Sequence, residues 1–313
     1  MISLVVPIYN DGWLAQDFLE RFQEVFISYF NSEDLDSNVE LIFVNDGSKN
    51  NSIEKIIELS NSHKFVKVID LSRNFGQHIA LTAGYQHSKG DYVGMMNVDL
   101  QEDVSQFVKL VDFLKENSNY DFALGLRQKR NDAFVTKITS YLFHKTLNFL
   151  TSDKTPVNSS TVRAMSRSFL NAYLDLTEKD RYLPALENWL GFNHAYLPII
   201  HTERKKGKSS YNFLKRLKMA VNAIITFSDK PIRIAAIIGF IITCFGFLMG
   251  LRLIVMKLFY PEIQQGYTST LTSVIFFSGL QLLFLGLTAT YIGKILREVQ
   301  NRPLYIIKKT YNI

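Results

Sequence analysis

Asn97-Val98-Asp99-Leu100-Gln101 sets a carboxylate and a side-chain amide two positions apart, directly after an apolar run. In extended chain, residues two apart face the same side, so Asp99 and Gln101 can act together. Oxygen donors of this kind suit a hard cation such as Mg²⁺ or Mn²⁺, with phosphate oxygens completing its shell. Such an ion would neutralise a departing diphosphate as a Lewis acid. Alone the pattern is weak, because an aspartate after a strand is also a common turn or cap residue. It gains weight from its company: Asn10-Asp11 and Asn45-Asp46 also follow short apolar runs.

The elements that would position these groups alternate. Ser3–Ile8, Val39–Val44, Val66–Leu71, Tyr92–Met96 and Phe122–Leu126 read as strands. Helical patterns run from Trp13 towards Tyr29, from Ser52, and from Gln77 to Gln86. Alternation of this kind predicts a parallel sheet covered on both faces, with ligands at the carboxyl ends of its strands. The three polar pairs fall at those ends.

The last third differs in character. The 313-residue chain carries a net charge of +6, and between Arg204 and Arg233 it has nine Lys or Arg and one acid, Asp229. A basic run suits nucleic acid, an anionic membrane surface or a solvated face. This one leads into an apolar stretch, which favours the membrane surface over nucleic acid. Tyr211–Phe227 reads as an amphipathic helix lying along the interface. Ile234–Leu251, extending to Met256, and Leu271–Gly293 approach the roughly 20 apolar residues that a spanning helix needs; two buried core helices are the alternative. Lys294, Arg297, Arg302, Lys308 and Lys309 follow against the single acid Glu298. Both termini and the soluble domain are therefore expected in the cytoplasm, on a multi-pass protein of the cell membrane. The lone Cys244 excludes an internal disulfide, and neither it nor the six His residues show metal spacing. The expected organisation is a domain at 1–209, an interfacial helix region at 210–230, two spans within 231–293 (about 234–256 and 271–293) and a tail at 294–313.

Several segments resemble one family in order along nearly the whole chain. Val5-Val6-Pro7-Ile8-Tyr9-Asn10-Asp11 resembles the first-strand signature of family 2 glycosyltransferases, and Val44-Asn45-Asp46-Gly47-Ser48 the second. Leu71-Ser72-Arg73-Asn74-Phe75-Gly76-Gln77 is similar to the stretch before the metal motif, and Asn97–Gln101 to that motif itself. Gly125-Leu126-Arg127 with Arg130, Thr161-Val162-Arg163, Trp189-Leu190-Gly191-Phe192, Glu203-Arg204 and Gly207-Lys208-Ser209-Ser210-Tyr211 continue the likeness. The branch they resemble comprises polyprenyl-phosphate glycosyltransferases, among them bactoprenol glucosyltransferases and dolichyl-phosphate mannose synthases.

The resemblance implies a GT-A fold, a Rossmann-like α/β domain that binds a nucleotide-sugar, followed by the interfacial helix and two transmembrane helices. It implies that Pro7, Tyr9, Asp11, Asp46 and Asn97 hold the nucleotide, and that Asp99, Gln101 and Asn97 hold Mg²⁺ or Mn²⁺. Arg127, Arg130, Arg163, Arg204 and Ser209 would contact the acceptor phosphate or donor diphosphate, since guanidinium groups fit phosphate through two hydrogen bonds. Asp99, Arg127 and Arg204 are the residues expected to carry catalysis. The implied reaction is inverting transfer of a hexose from a UDP-sugar to undecaprenyl phosphate, supplying lipid-linked sugar for cell-envelope glycans. A flippase and a homo-tetramer are the implied partners. GDP-mannose and modified arabinose are alternative donors.

Two positions depart from the family pattern: Asn45 and Asn97 stand where aspartates are usual, so the metal site loses a negative charge. A catalytically silent membrane scaffold is the alternative that this departure favours. A phosphate-loop reading of Gly207-Lys208-Ser209 fails, because Thr202 stands where the earlier glycine is required. No Gly-x-Gly-x-x-Gly follows a strand, which argues against a dinucleotide oxidoreductase.

Overall fold

The computed structural model describes residues 1–127, 156, 158–200, 230–259 and 266–313. Arg130, Arg204, Ser209 and nearly all of the expected interfacial region 210–230 lie outside them. The chain divides into two compact units. One holds the sheet with its covering helices, the other the two long apolar helices.

The sheet has eight strands: β1 (Ile2–Ile8), β2 (Val39–Asn45), β3 (Val66–Leu71), β4 (Tyr92–Met95), β5 (Phe122–Arg127), β6 (Ser159–Ser166), β7 (His194–Ile199) and β8 (Ile307–Tyr311). Their order is β7-β5-β6-β4-β1-β2-β3-β8. Strands β3, β2, β1 and β4 are parallel, and β7 is parallel to β5. The expectation of a wholly parallel sheet is corrected by β6, antiparallel to β4 and β5, and by β8, antiparallel to β3.

Helices α1 (Ala15–Phe30), α2 (Ser52–Ser62), α3 (Gln77–His87) and α4 (Val104–Glu116) connect the first five strands, and α5 (Arg167–Leu174) and α6 (Leu183–Trp189) follow β6. The sequence explains this layering. Leu4, Val5, Val6 and Ile8 are all buried, because a strand covered on both faces is apolar throughout rather than alternating. On α1, Phe18, Phe22 and Phe26 recur every fourth residue and form one buried stripe. Phe22 stacks on Phe65, centroids 5.9 Å apart. At the amino ends of the strands, the buried Glu40 accepts from Ser3 Oγ, Lys67 Nζ and the Lys89 N–H. Burial pushes its carboxyl up, but these bonds outweigh it and hold the pKa below the ordinary value.

The segment 294–313, expected as a tail, is built differently. Helix α8 (Tyr267–Val299) takes up its first residues, and β8 its last. Asn312, in the left-handed region at φ 58°, donates to the carbonyls of Ser60 and Val66 at 2.5 and 3.0 Å. These bonds fasten β8 beside α2 and β3.

In the second unit, α7 (Lys230–Phe259) precedes α8. Among the described residues, Phe276–Val299 is long and apolar enough to cross a membrane, while Ile234–Leu248 is a shorter apolar helix. Of the two spans expected, one therefore meets that measure among the described residues.

Gly94 lies mid-strand in β4, opposite Ala164. A Cβ there would sit 2.1 Å from the Arg163 carbonyl oxygen and 2.3 Å from the Phe107 ring. Gly94→Ala must therefore push β4 and β6 apart. It is expected to cost about 1–3 kcal/mol, read as a lowered unfolding midpoint in denaturant; an unchanged midpoint would contradict this packing.

Candidate functional site

Four loops and one strand end converge at the carboxyl side of the sheet. The ladder between β1 and β4 ends at Val5 opposite Met95, whereas β1 keeps pairing with β2 to Ile8. The pairing thus ends at the point where strand order reverses, and a crevice at such a point is the usual ligand position in sheets of this kind. Pro7, which lacks an N–H, sits past the last β1–β4 pair, where no ladder bond is forfeited.

The loops after β1 and β2 are bonded to each other. Asn10, at φ 63°, donates its N–H to Ser48 Oγ at 3.0 Å and accepts from the Lys49 N–H at 2.9 Å through Oδ1. Asp11 precedes a short turn whose Gly12 N–H donates to Ser52 Oγ at 2.9 Å. Tyr9 is exposed.

Asp46 is buried and turned onto the next loop. Its two carboxylate oxygens accept from the N–H groups of Phe75 and Gly76 at 2.7 and 3.0 Å. Burial pushes its pKa up, and those bonds with the nearby Arg73 charge partly offset the push. Gly47, at φ 63°, lets the loops touch, since a Cβ there would lie 2.3 Å from the Arg73 carbonyl carbon. Asp46 thus shapes the pocket wall in this structure.

The two unusual asparagines have separate partners. Asn45 donates through Nδ2 to Asp70 Oδ1 at 2.7 Å and accepts from the Ser48 N–H at 3.2 Å. An aspartate at 45 would face Asp70 carboxylate to carboxylate. Asn97 accepts through Oδ1 from Gln77 Nε2 at 3.1 Å. Leu100 between Asp99 and Gln101 adopts φ 50°, an unfavourable conformation for leucine, and the Gln101 N–H points to Asp99 Oδ1 at 3.4 Å. Among the described residues no three His, Cys, Asp or Glu gather as a cation site.

Arg127 ends β5 beside this turn. Its Nη2 and Nε lie 3.1 and 3.3 Å from Glu102 Oε1, which also accepts from Ser160 Oγ at 2.8 Å. Arg163 stands apart from the open crevice: its guanidinium is buried and donates to Glu187 on α6 at 2.5 Å. In this structure it holds α6 against β6, and the phosphate contact expected of it is not prepared. Sequence reasoning missed Glu102 and Ser160, and named Gln77 only as the end of a family-like stretch and the start of a helix. Glu102 had one signal, its place next to the metal motif; Ser160 had none.

On α3, His78 is half-buried and edge-on to the Tyr182 ring, 5.7 Å between centroids. Its Nδ1 is buried, with no protein hydrogen-bond partner among the described residues. Burial and the Arg163 charge lower its pKa to about 4.

Comparison with known proteins gives three findings. Residues 3–174 match the profile of glycosyl transferase family 2. The chain is 33% identical over 311 residues to the SfII prophage-derived bactoprenol glucosyl transferase of Shigella flexneri, covering 99% of this chain and 98% of that one. It is 30% identical over 315 residues to the undecaprenyl-phosphate 4-deoxy-4-formamido-L-arabinose transferase of Proteus mirabilis (strain HI4320), covering 100% and 94%. Among solved structures, glucosyl-3-phosphoglycerate synthase of Mycobacterium tuberculosis, crystallised with Mn²⁺, UDP and glucosyl-3-phosphoglycerate, aligns at a TM-score of 0.51. The match has 19% identity over 72% of this chain and 78% of that one, a likeness of fold.

Two outcomes follow from this geometry. Asn45→Asp is expected to lose about 1–3 kcal/mol of stability by opposing two carboxylates, and Asp70→Asn in the same chain to restore most of it; thermal unfolding of the single and double variants reads this. For His78, the unfolded imidazole takes a proton near 6.5, whereas the folded one resists it to about 4. Stability should therefore fall as pH drops from about 6.5 towards 4, by about 3 kcal/mol in full. Unfolding midpoints across that window should fall less steeply in His78→Phe; an equal slope would remove His78 as the cause.

Proposed function

The chain belongs to glycosyl transferase family 2, and from that premise we propose that it transfers a hexose from a UDP-sugar to a polyprenyl phosphate at the cytoplasmic face of a membrane. It is a glycosyltransferase of GT-A α/β architecture. One observation carries the acceptor: the two full-length relatives are named for different sugars but both for a polyprenyl carrier. The likeness extends through the apolar helices, which a lipid acceptor requires and a soluble acceptor does not.

The chemistry follows from the acceptor. A phosphate monoester has a second pKa near 6, so its oxygen is largely ionised at neutral pH. The reaction then depends on positioning and charge neutralisation more than on a strong base. A phosphate oxygen attacks the anomeric carbon in line and the nucleoside diphosphate leaves, with inversion. Asp99 and Gln101 would hold the divalent ion, Mg²⁺ or Mn²⁺, which offsets charge on the leaving diphosphate. Pro7, Tyr9 and Asp11 line the nucleotide side, and Asn97, with its carbonyl on Gln77, offers its N–H₂ to the donor. Arg127, with Arg130, Arg204 and Ser209 outside the described residues, would hold the nucleophile.

Membrane attachment is part of the same reading. Phe276–Val299 is one span, and α7, at 30 residues, is about 45 Å long at 1.5 Å per residue and supplies the second. The basic residues from Arg204 to Arg233 and after Gly293 support a cytoplasmic position for the sheet unit. A homo-tetramer and a flippase for the product complete the proposal.

The test uses the full-length protein, undecaprenyl phosphate, Mg²⁺ or Mn²⁺ and a panel of nucleotide-sugars, with mass spectrometry of the lipid product. UDP-glucose is expected to give a hexosyl phospholipid. Asp99→Ala should lower turnover by about 10²-fold or more, and chelation of the metal should do likewise. No lipid product from any donor would refute the function; full activity in Asp99→Ala would remove the assigned site.

A further inference from the structure

We propose that Glu102 is a positioning residue that orders Arg127 for the acceptor phosphate and ties it to the turn that binds the donor. This rests on the function proposed above. The turn Asp99-Leu100-Gln101 passes through Leu100 at φ 50°, and the next residue, Glu102, is buried, with 2% of its side chain exposed. Glu102 Oε1 receives three donors: Arg127 Nη2 at 3.1 Å, Arg127 Nε at 3.3 Å and Ser160 Oγ at 2.8 Å. One carboxylate oxygen thus joins the loop after β4, the end of β5 and the start of β6.

The edge of the guanidinium used matters. Glu102 takes the Nε–Nη2 edge, while Nη1 carries two further N–H donors. Arg127 keeps 26% of its side chain exposed, so it reaches solvent while anchored from behind. A free arginine loses much rotamer freedom when it grips a phosphate. An arginine already held along one edge loses less, and presents the other edge in a fixed direction. Glu102 also offsets the Arg127 charge when no substrate is bound, which allows a cation to wait at the end of a buried strand. Because Glu102 follows Gln101 directly, movement of the donor turn is carried to Arg127 through one side chain.

The experiment compares full-length wild type, Glu102→Gln, Glu102→Asp, Arg127→Ala and the double variant Glu102→Gln/Arg127→Ala. Transfer to undecaprenyl phosphate gives KM and kcat, and equilibrium binding of undecaprenyl phosphate in detergent micelles gives Kd for every variant. Glu102→Gln is expected to raise the acceptor KM and Kd about tenfold, the scale of a lost charge-assisted hydrogen bond, with the donor KM unchanged. Glu102→Asp should recover part of this. In the Arg127→Ala background, Glu102→Gln should weaken acceptor binding no further, because its effect runs through Arg127. An equal further loss in that background would assign Glu102 a structural role alone and overturn the proposal. A wild type that transfers while Glu102→Gln matches it also overturns it, leaving the function intact. A wild type that neither binds nor glycosylates the lipid overturns the function and this inference together.

Discussion

The parting of β1 and β4 is the constraint on which the site depends. Both strands begin in register at Ile2 and Tyr92, but their pairing stops at Val5 and Met95. From there β1 continues on β2 alone, and the chain after β4 is free to turn. Asp11 follows β1, and Asn97, Asp99 and Gln101 follow β4, on either side of that parting. Neighbouring features follow from it. Pro7 is tolerated because its missing donor falls past the last shared pair, and Leu100 can adopt its turned conformation because no ladder holds that residue.

The crevice walls are secured by backbone groups and buried carboxylates rather than by apolar packing alone. Asp46 fixes the loop before α3 through two N–H groups, Asn10 fixes the loop after β2, and Glu102 fixes the end of β5. At the opposite end of the sheet Glu40 does similar work for Ser3, Lys67 and Lys89. A buried charge is stable only where it is paired and hydrogen-bonded. Each of these groups therefore fixes the positions of two or three segments at once. The outcome is a set of loops held in fixed positions at the carboxyl ends of the strands.

Much of this was legible in the sequence, and for a physical reason. Strands β1 to β5 are buried apolar runs, and the polar residues at the ends of β1, β2 and β4 mark where each run leaves the core. The likeness to family 2 implied roles for residues at those same strand ends. The remainder was hidden for equally specific reasons. Strand β6, Ser159–Ser166, carries Arg163 in its middle, and that arginine is acceptable in a core only because Glu187, 24 residues later, reaches it. Strand β8 carries Lys308 and Lys309 on an exposed edge, where charge is favoured and no apolar alternation appears. The substitution at Asn45 reads as a lost charge until Asp70 is seen beside it. Each of these cases turns on a partner distant in sequence.

Strand β8 alters how the anchor relates to the enzyme. The chain leaves the sheet unit before α7, passes through both apolar helices, and re-enters to pair with β3. The apolar segment is thus an insertion within the sheet unit in chain order, and not an appendage hung from its carboxyl terminus. Cutting the protein ahead of α7 to make it soluble would strip β3 of its outer neighbour. The bared edge would expose unpaired N–H and C=O groups along Val68–Leu71, an invitation to aggregate. Solubilisation is better sought by keeping the last eleven residues, Pro303–Ile313, and joining them to the sheet unit through a short flexible linker in place of the helices.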